Sequence, residues 1–148
     1  MTNDEVRMTN QRPMTNDEGP SGNGLPVRTY DLEERTAVFG EAVIVFAKRV
    51  PVNLVTTPLI PQVVRAATSV GANYLEADDA DSPKEFRHRI GIARRESRET
   101  KHQLRMIVAA EPHLRDDARP LWREAKELNL IFGAIRCSVE SGKKRTHR

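Results

Sequence analysis

From Asp31 onward, apolar positions recur at alternating steps of four and three residues. Leu32, Thr36, Phe39, Val43, Phe46 and Val50 form a first seam, which Pro51 ends. This alternation keeps side chains on one side of a 3.6-residue turn, so it predicts an amphipathic helix. Leu59, Val63, Ala66, Val70, Asn73 and Ala77 form a second seam. Its predicted entry is Thr57 as N-cap and Pro58 at the first helical position. Pro61 still falls in the first turn, where its missing donor is tolerated. A third seam comprises Phe86, Ile90, Ala93, Ser97, Thr100, Leu104 and Ile107. It opens on Ser82-Pro83-Lys84-Glu85, a capping box with proline at the first helical position, and Pro112 lies beyond its end. Asp116 or Asp117 is the expected cap of the fourth seam, Leu121, Ala125, Leu128, Phe132, Ile135 and Val139. Gly142 is placed to stop it.

Four seams of similar length with short links predict an all-α fold, an antiparallel up-down-up-down four-helix bundle. A spectrin-like or solenoid arrangement would need internal repeats, and the helical segments carry none. The bundle is expected to span residues 28–141, between a disordered tail at 1–27 and a basic tail at 142–148. MTNDE occurs at 1–5 and again at 14–18 without apolar periodicity, so the first segment buries too little surface to offset its ordering entropy. Ile44, Val45, Ile60, Val64, Tyr74, Trp122 and Ile131 lie beside the seams. Apolar surface left over in this way suits a partner subunit.

Composition alters this picture mainly through charge. Aromatic residues are only 5% of the chain and β-branched runs are short, which favours helix over sheet. A single cysteine, Cys137, excludes an intramolecular disulfide. Between Ile135 and Val139 it is expected as a buried or semi-buried small hydrophobe. The longest apolar runs, such as AVIVFA at 42–47, are too short to span a bilayer. The polar start lacks the apolar centre of a secretory signal, so the expected location is cytoplasmic. The net charge of +3 is unevenly spread: residues 82–111 hold eight Lys and Arg against four Glu, a local +4. The closing SGKKRTHR adds four more cations, leaving the rest of the chain acidic.

Arg87, Arg94, Arg98, Lys101 and Arg105 each follow a seam position of the third helix by one residue, which places them in a stripe about 100° round from the seam. Lys84 extends the stripe, and Glu85, Arg89, Glu96, Glu99 and Gln103 lie on the opposite flank. Two readings are open. The stripe is a track for a phosphate backbone, or it is a solvated face paired with acids of neighbouring helices such as Glu124 and Glu127. Along the sequence, no aromatic stacking platform interleaves with it. Trp122 and Tyr74 read as core or subunit interface rather than as base stackers.

No catalytic, cofactor-binding or metal-ligating residue is assigned. Glu-x-x-His occurs at Glu85–His88 and Glu99–His102, but both copies share one helix, 14 residues and so about 21 Å apart. A dinuclear bundle site needs them on two facing helices. One cysteine is too few for the usual structural zinc sites. There is no glycine-rich phosphate loop and no nucleophile in a motif context. Glu76, Asp78, Asp79 and Asp81 read as a solvated loop.

Residues 68–77, TSVGANYLEA, place small and polar side chains inside the second helix. Asn73 holds a seam position where Val or Leu is expected, and a buried Asn needs partners. The expectation is a polar key of Arg65, Ser69, Gly71, Asn73, Glu76, Glu96 and Glu99. In it Asn73, with Ser69 or Glu76, hydrogen-bonds to the third helix near Ser97 and Thr100. Ala67 and Gly71 would permit that close approach, and the key would fix register.

These residues also carry a family resemblance. Arg65 precedes Ser69-Val-Gly-Ala-Asn-x-x-Glu76; an acidic loop, the Lys84-Glu-Phe86 helix start and the run from Glu96 to Leu104 follow. The combination resembles the four-helix bundle proteins encoded in intervening sequences of bacterial 23S rRNA genes. Relatives of those proteins include the accessory variability determinant of diversity-generating retroelements. DLEERTAVFGEAVIVFAKRVP resembles the family's first helix, so the resemblance covers roughly residues 30–140. It implies an antiparallel four-helix bundle assembled as a ring-like homopentamer. For the retroelement relatives it implies a reverse transcriptase and nucleic acid as partners. The combined expectation is a non-catalytic oligomer that binds nucleic acid or acts as an accessory scaffold. The alternative is a protein-interaction module without nucleic-acid binding.

Overall fold

The computed structural model describes residues 32–145, with side chains through residue 142. Within this span the elements are α1 (Leu32–Ala47), α2 (Leu59–Asp78), α3 (Pro83–Ala110), a 3-10 turn (Pro112–Leu114) and α4 (Arg115–Arg145). No strand occurs among the described residues. The expectations for the MTNDE-bearing segment fall outside the described residues, as do those for the side chains of the basic tail. Helix α1 packs on α2, α2 on α3 and α3 on α4, while α4 returns more lightly to α1. This is bundle-like packing.

The seams are the core. All six positions of the first are buried, including Val50, which lies past the end of α1. Ile90, Ala93, Ser97, Thr100, Leu104 and Ile107 of the third are buried too, and Ala125, Leu128 and Phe132 anchor the fourth. Each large aliphatic or aromatic side chain withdrawn from water contributes about 1.5–3 kcal/mol. The polar seam residues bond within their own helices. The Ser97 hydroxyl donates to the Ala93 carbonyl (2.9 Å) and the Thr100 hydroxyl to the Glu96 carbonyl (2.8 Å).

Several helix ends differ from expectation. Thr57 does not cap α2; its hydroxyl donates to the Asn53 carbonyl, and Pro58 precedes the helix without a side-chain cap. Asn53 and Thr56 build the entry instead. Asn53 Oδ1 accepts from the N–H groups of Val55 and Thr56, and the fully buried Thr56 hydroxyl donates to the Pro51 carbonyl. At α3, Ser82 Oγ accepts from the Glu85 N–H at 3.1 Å as expected, but the Glu85 carboxylate reaches back to the Asp81 N–H (3.4 Å). Asp116 and Asp117 lie inside the first turn of α4 rather than before it. There they still favour the positive end of the helix. Gly142 does not stop α4, which runs on to Arg145. An apolar residue after the glycine frequently accompanies such a stop, and the sequence after Gly142 continues Lys-Lys-Arg instead.

Each helix carries two flanks beside its seam, the residues one position after it and the residues one position before it. The flank after the seam joins α1 to α2 and α3 to α4. The flank before it joins α2 to α3 and α4 to α1. Between α1 and α2 these flanks are small: a Cβ on Gly71 would sit 3.2 Å from Thr36 Oγ1, and one on Gly40 would sit 3.7 Å from the Ala67 carbonyl oxygen. Gly71 and Ala67 thus permit close approach to α1, not to α3 as expected. The reason is positional: both follow the seam by one residue, on the side of α2 away from α3.

Candidate nucleic-acid interface

The flanks before the seams consume their charge. Arg65 on α2 donates to Glu96 (3.3 Å) and Glu99 on α3, while Gln103 Nε2 donates to Gln62 Oε1 at 2.9 Å. Arg89 faces Glu76 at 3.9 Å. On the other side of the bundle, Arg35 of α1 forks onto Glu124 (2.6 and 3.1 Å) and Glu127 (2.7 Å) of α4. The bond to Glu124 chiefly raises the Arg35 pKa, and the bond to Glu99 chiefly raises that of Arg65. Glu124 and Glu127 were the expected acids for the cationic stripe of α3. They lie one residue before their seam and therefore turn to α1.

The flank after the seam on α3 is that stripe, and it meets a second one from α4. Trp122, Lys126, Asn129 and Arg136 each follow a seam position of α4 by one residue, and Arg115 and Arg119 follow the buried Leu114 and Ala118 in the same way. Arginines of each helix cross onto glycines of the other. Arg136 lies over Gly91, 3.4 Å from where a Cβ would stand, and Arg94 lies over Gly133. Asn129 Nδ2 donates to the Arg94 carbonyl at 2.9 Å, tying the two stripes together. Arg87 pairs with Glu140 at 3.5 Å, and Arg119 pairs with Asp116 at 3.6 Å. Among the described residues, Arg94, Arg98, Lys101 and Arg105 have no carboxylate partner. The same holds for Arg115, Lys126 and Arg136.

Toward the 3-10 turn the two stripes part around a groove of about 350 Å³. Leu104, Val108, Ala118 and Trp122 line its apolar part, and Arg105, Arg115, Arg119 and Arg123 rim it. Lys101 Nζ stands 4.9 Å from the centre of the Trp122 ring, and Lys126 Nζ stands 5.7 Å away. An aromatic face is therefore interleaved with the cations after all, contributed by the neighbouring helix. Reading the fourth seam's flank as the third's was read would have found it. Tyr74, by contrast, packs on the core, its ring 6.2 Å from that of Phe132.

The polar key divides. Arg65, Glu96 and Glu99 come together as described, and Glu76 reaches only Arg89. Asn73 does not bond to α3; half-buried, its amide donates to the Ser69 carbonyl of its own helix at 2.9 Å. Ser97 and Thr100 are already satisfied by their own helix and have no hydroxyl hydrogen left to offer. His88 and His102 are exposed. Cys137 is exposed as well, contrary to expectation. It falls between the seam positions Ile135 and Val139 and points away from the core. Of the residues beside the seams, Ile60, Val64, Tyr74, Trp122 and Ile131 pack against the core, while Ile44 and Val45 stay exposed. No helix among the described residues is long and apolar enough to cross a membrane.

Comparison with known proteins agrees with this architecture. No curated protein matches the chain. Among solved structures, a protein of unknown function from the S23 ribosomal protein family of Bacteroides thetaiotaomicron is 25% identical, with a TM-score of 0.62. The match covers 71% of this chain and 97% of that one. Residues 30–133 match the family model of the 23S rRNA-intervening sequence protein. The chain belongs to the 23S rRNA-intervening sequence protein family.

Proposed function

We propose that this protein is a non-catalytic, oligomeric bundle that binds nucleic acid through its phosphate backbone along the joined outer flanks of α3 and α4. One observation carries the reading: Arg94, Arg98, Lys101 and Arg105 of α3 share one face with Arg115, Lys126 and Arg136 of α4, and these seven lack carboxylate partners among the described residues. Such a face gains affinity for a polyanion by releasing the polyanion's condensed counterions. The test is the affinity for RNA and DNA oligonucleotides across a salt series. With about five phosphates neutralised, log K falls with log salt at a slope of about −4.5 on duplex DNA. Absence of binding at low salt contradicts the reading and favours an interaction module that uses the same bundle without nucleic acid.

An up-down-up-down antiparallel course goes with it. Its support is that Gln62–Gln103, Arg65–Glu96 and Glu76–Arg89 lie ever closer in sequence toward the α2–α3 link. Arg87–Glu140, Arg94–Asn129 and Lys101–Trp122 do the same toward the next link. Self-association is supported by a groove of about 440 Å³ between α1 and α2, bordered by the exposed Ile44 and Leu75. Exposed Val38 and Val45 add apolar surface on α1. A homopentamer is the form the resemblance implies, and light scattering that returns a monomer contradicts it. A reverse transcriptase as partner, and a cytoplasmic setting, rest on the sequence reading alone; co-purification from the native host tests the partner.

A further inference from the structure

We infer that the groove around Trp122 takes an unpaired nucleobase, so that this interface prefers single-stranded nucleic acid to duplex. This rests on the polyanion reading above and adds the form of the ligand. A surface that only tracks a backbone needs exposed cations and nothing else. Here the cations surround an open apolar depression whose one aromatic ring shows a face to solvent-held charges. In a duplex the bases are stacked inside, and such a depression has nothing to take from it. In a single strand, each unstacked base offers a π-face that can stack on the indole. Arg105 and Arg115 line the same groove and supply positive charge for the flanking phosphates.

Lys101 and Lys126 now stand over the ring at 4.9 and 5.7 Å. Contacts of exposed ammonium groups with an aromatic ring are weaker than the stacking of a base on it. A base therefore displaces an ammonium from the ring, and the released lysine meets a phosphate. An acidic peptide would use the arginines equally well, but its carboxylates have no use for the indole face. The unpaired cations also continue past the groove to Arg94 and Arg98, as a strand longer than one nucleotide requires. Arg98 and Arg105 are seven residues apart, so about 10 Å of helix is available on that side of the groove.

Trp122 is the chain's only tryptophan, so intrinsic fluorescence reads the groove directly. The full chain is titrated with a uridine 12-mer, with an RNA duplex of equal phosphate count, and with polyglutamate. The expected result is quenching by the 12-mer, with an affinity about tenfold above that for the duplex. Trp122→Leu removes the fluorophore, so its binding is read by the anisotropy of labelled oligonucleotides; it should erase that preference while circular dichroism reports an intact fold. Trp122→Phe retains a ring and should keep part of the preference, which separates stacking from packing. Equal affinity for single strand and duplex without quenching overturns the stacking site while the polyanion reading survives. Binding of neither nucleic acid overturns both. Quenching by polyglutamate as strong as by the 12-mer assigns the groove to an acidic peptide and overturns the inference.

Discussion

Helix α3 presents two charged flanks that look alike in composition and differ in what surrounds them. On the flank toward α2, Glu96 and Glu99 take the guanidinium of Arg65, and Arg89 is matched by Glu76. On the flank toward α4, Arg94, Arg98, Lys101 and Arg105 look across at further cations and a tryptophan. Charge on the first flank holds helices together; on the second, apart from Arg87 with Glu140, the cations of α3 meet no carboxylate among the described residues. The sign of a helix face thus says little about its use until the facing helix is known. The two flanks also differ in cost. Like charges gathered on one face repel, so a face kept this way weakens the fold unless a polyanion neutralises it.

The contrast can be attacked directly. The largest expected effect is on binding: Arg94→Glu with Arg98→Glu should lower oligonucleotide affinity on the order of a hundredfold near 0.1 M salt. Its melting temperature should stay near that of the parent, since both side chains are exposed and unpaired. A drop in stability as large as the drop in affinity would place these arginines with the structural flank. Next, Gly71→Leu should destabilise by about 1–3 kcal/mol through overpacking against Thr36, as read by chemical denaturation. The slope of affinity on salt should not move. It isolates the α1–α2 contact, where the corresponding flank is small rather than charged.

Smaller still, Arg65→Ala should cost about 0.5–1 kcal/mol, the range of ion pairs that solvent screens. Again the salt slope should hold. The smallest effect is on alkaline stability. Desolvation, with the negative charges of Asp78 and Glu33 behind it, raises the Tyr74 pKa above its ordinary value of 10.0. The folded state therefore holds its proton more tightly than the unfolded state. The stability tied to this is complete below the ordinary value and is lost as pH rises past it. Tyr74→Phe should flatten that alkaline decline in a pH series of thermal melts.

Much of this organisation is legible along the chain. The four-and-three spacing located every helix, because burying one stripe of side chains against the rest of the fold is what gives a helix in a protein most of its stability. It also sorted the two flanks of α3 correctly, since about 100° per residue separates Arg94 from Glu96 whatever lies opposite. What it left open was the partner of each flank. Glu124 and Glu127 are acids of the right number on a neighbouring helix, yet their position before the seam turns them to Arg35. Trp122 looked like core because part of it packs there; the rest borders the groove, with Lys101 and Lys126 over its ring. Asn73 looked like a key because a seam position promises burial. At its depth, however, a bond to the Ser69 carbonyl satisfies the amide locally. Helix ends were the least legible. Thr57 and Gly142 carry the residue types of a cap and a stop, but Asn53 and Thr56 form the competing turn and no apolar residue follows Gly142 to fix a stop.

The central claim is that the flank of α3 facing α4 binds a phosphate backbone and the flank facing α2 does not. The salt dependence of affinity for a single-stranded 20-mer tests it most directly when measured on three proteins. These are the parent, Arg94→Ala with Arg98→Ala, and Arg65→Ala with Arg89→Ala. The account predicts that the first pair of changes makes the log–log slope shallower by about 1.4, two phosphate contacts on a single strand. It predicts no change in slope for the second pair. Equal changes from both pairs, or none from either, would contradict it.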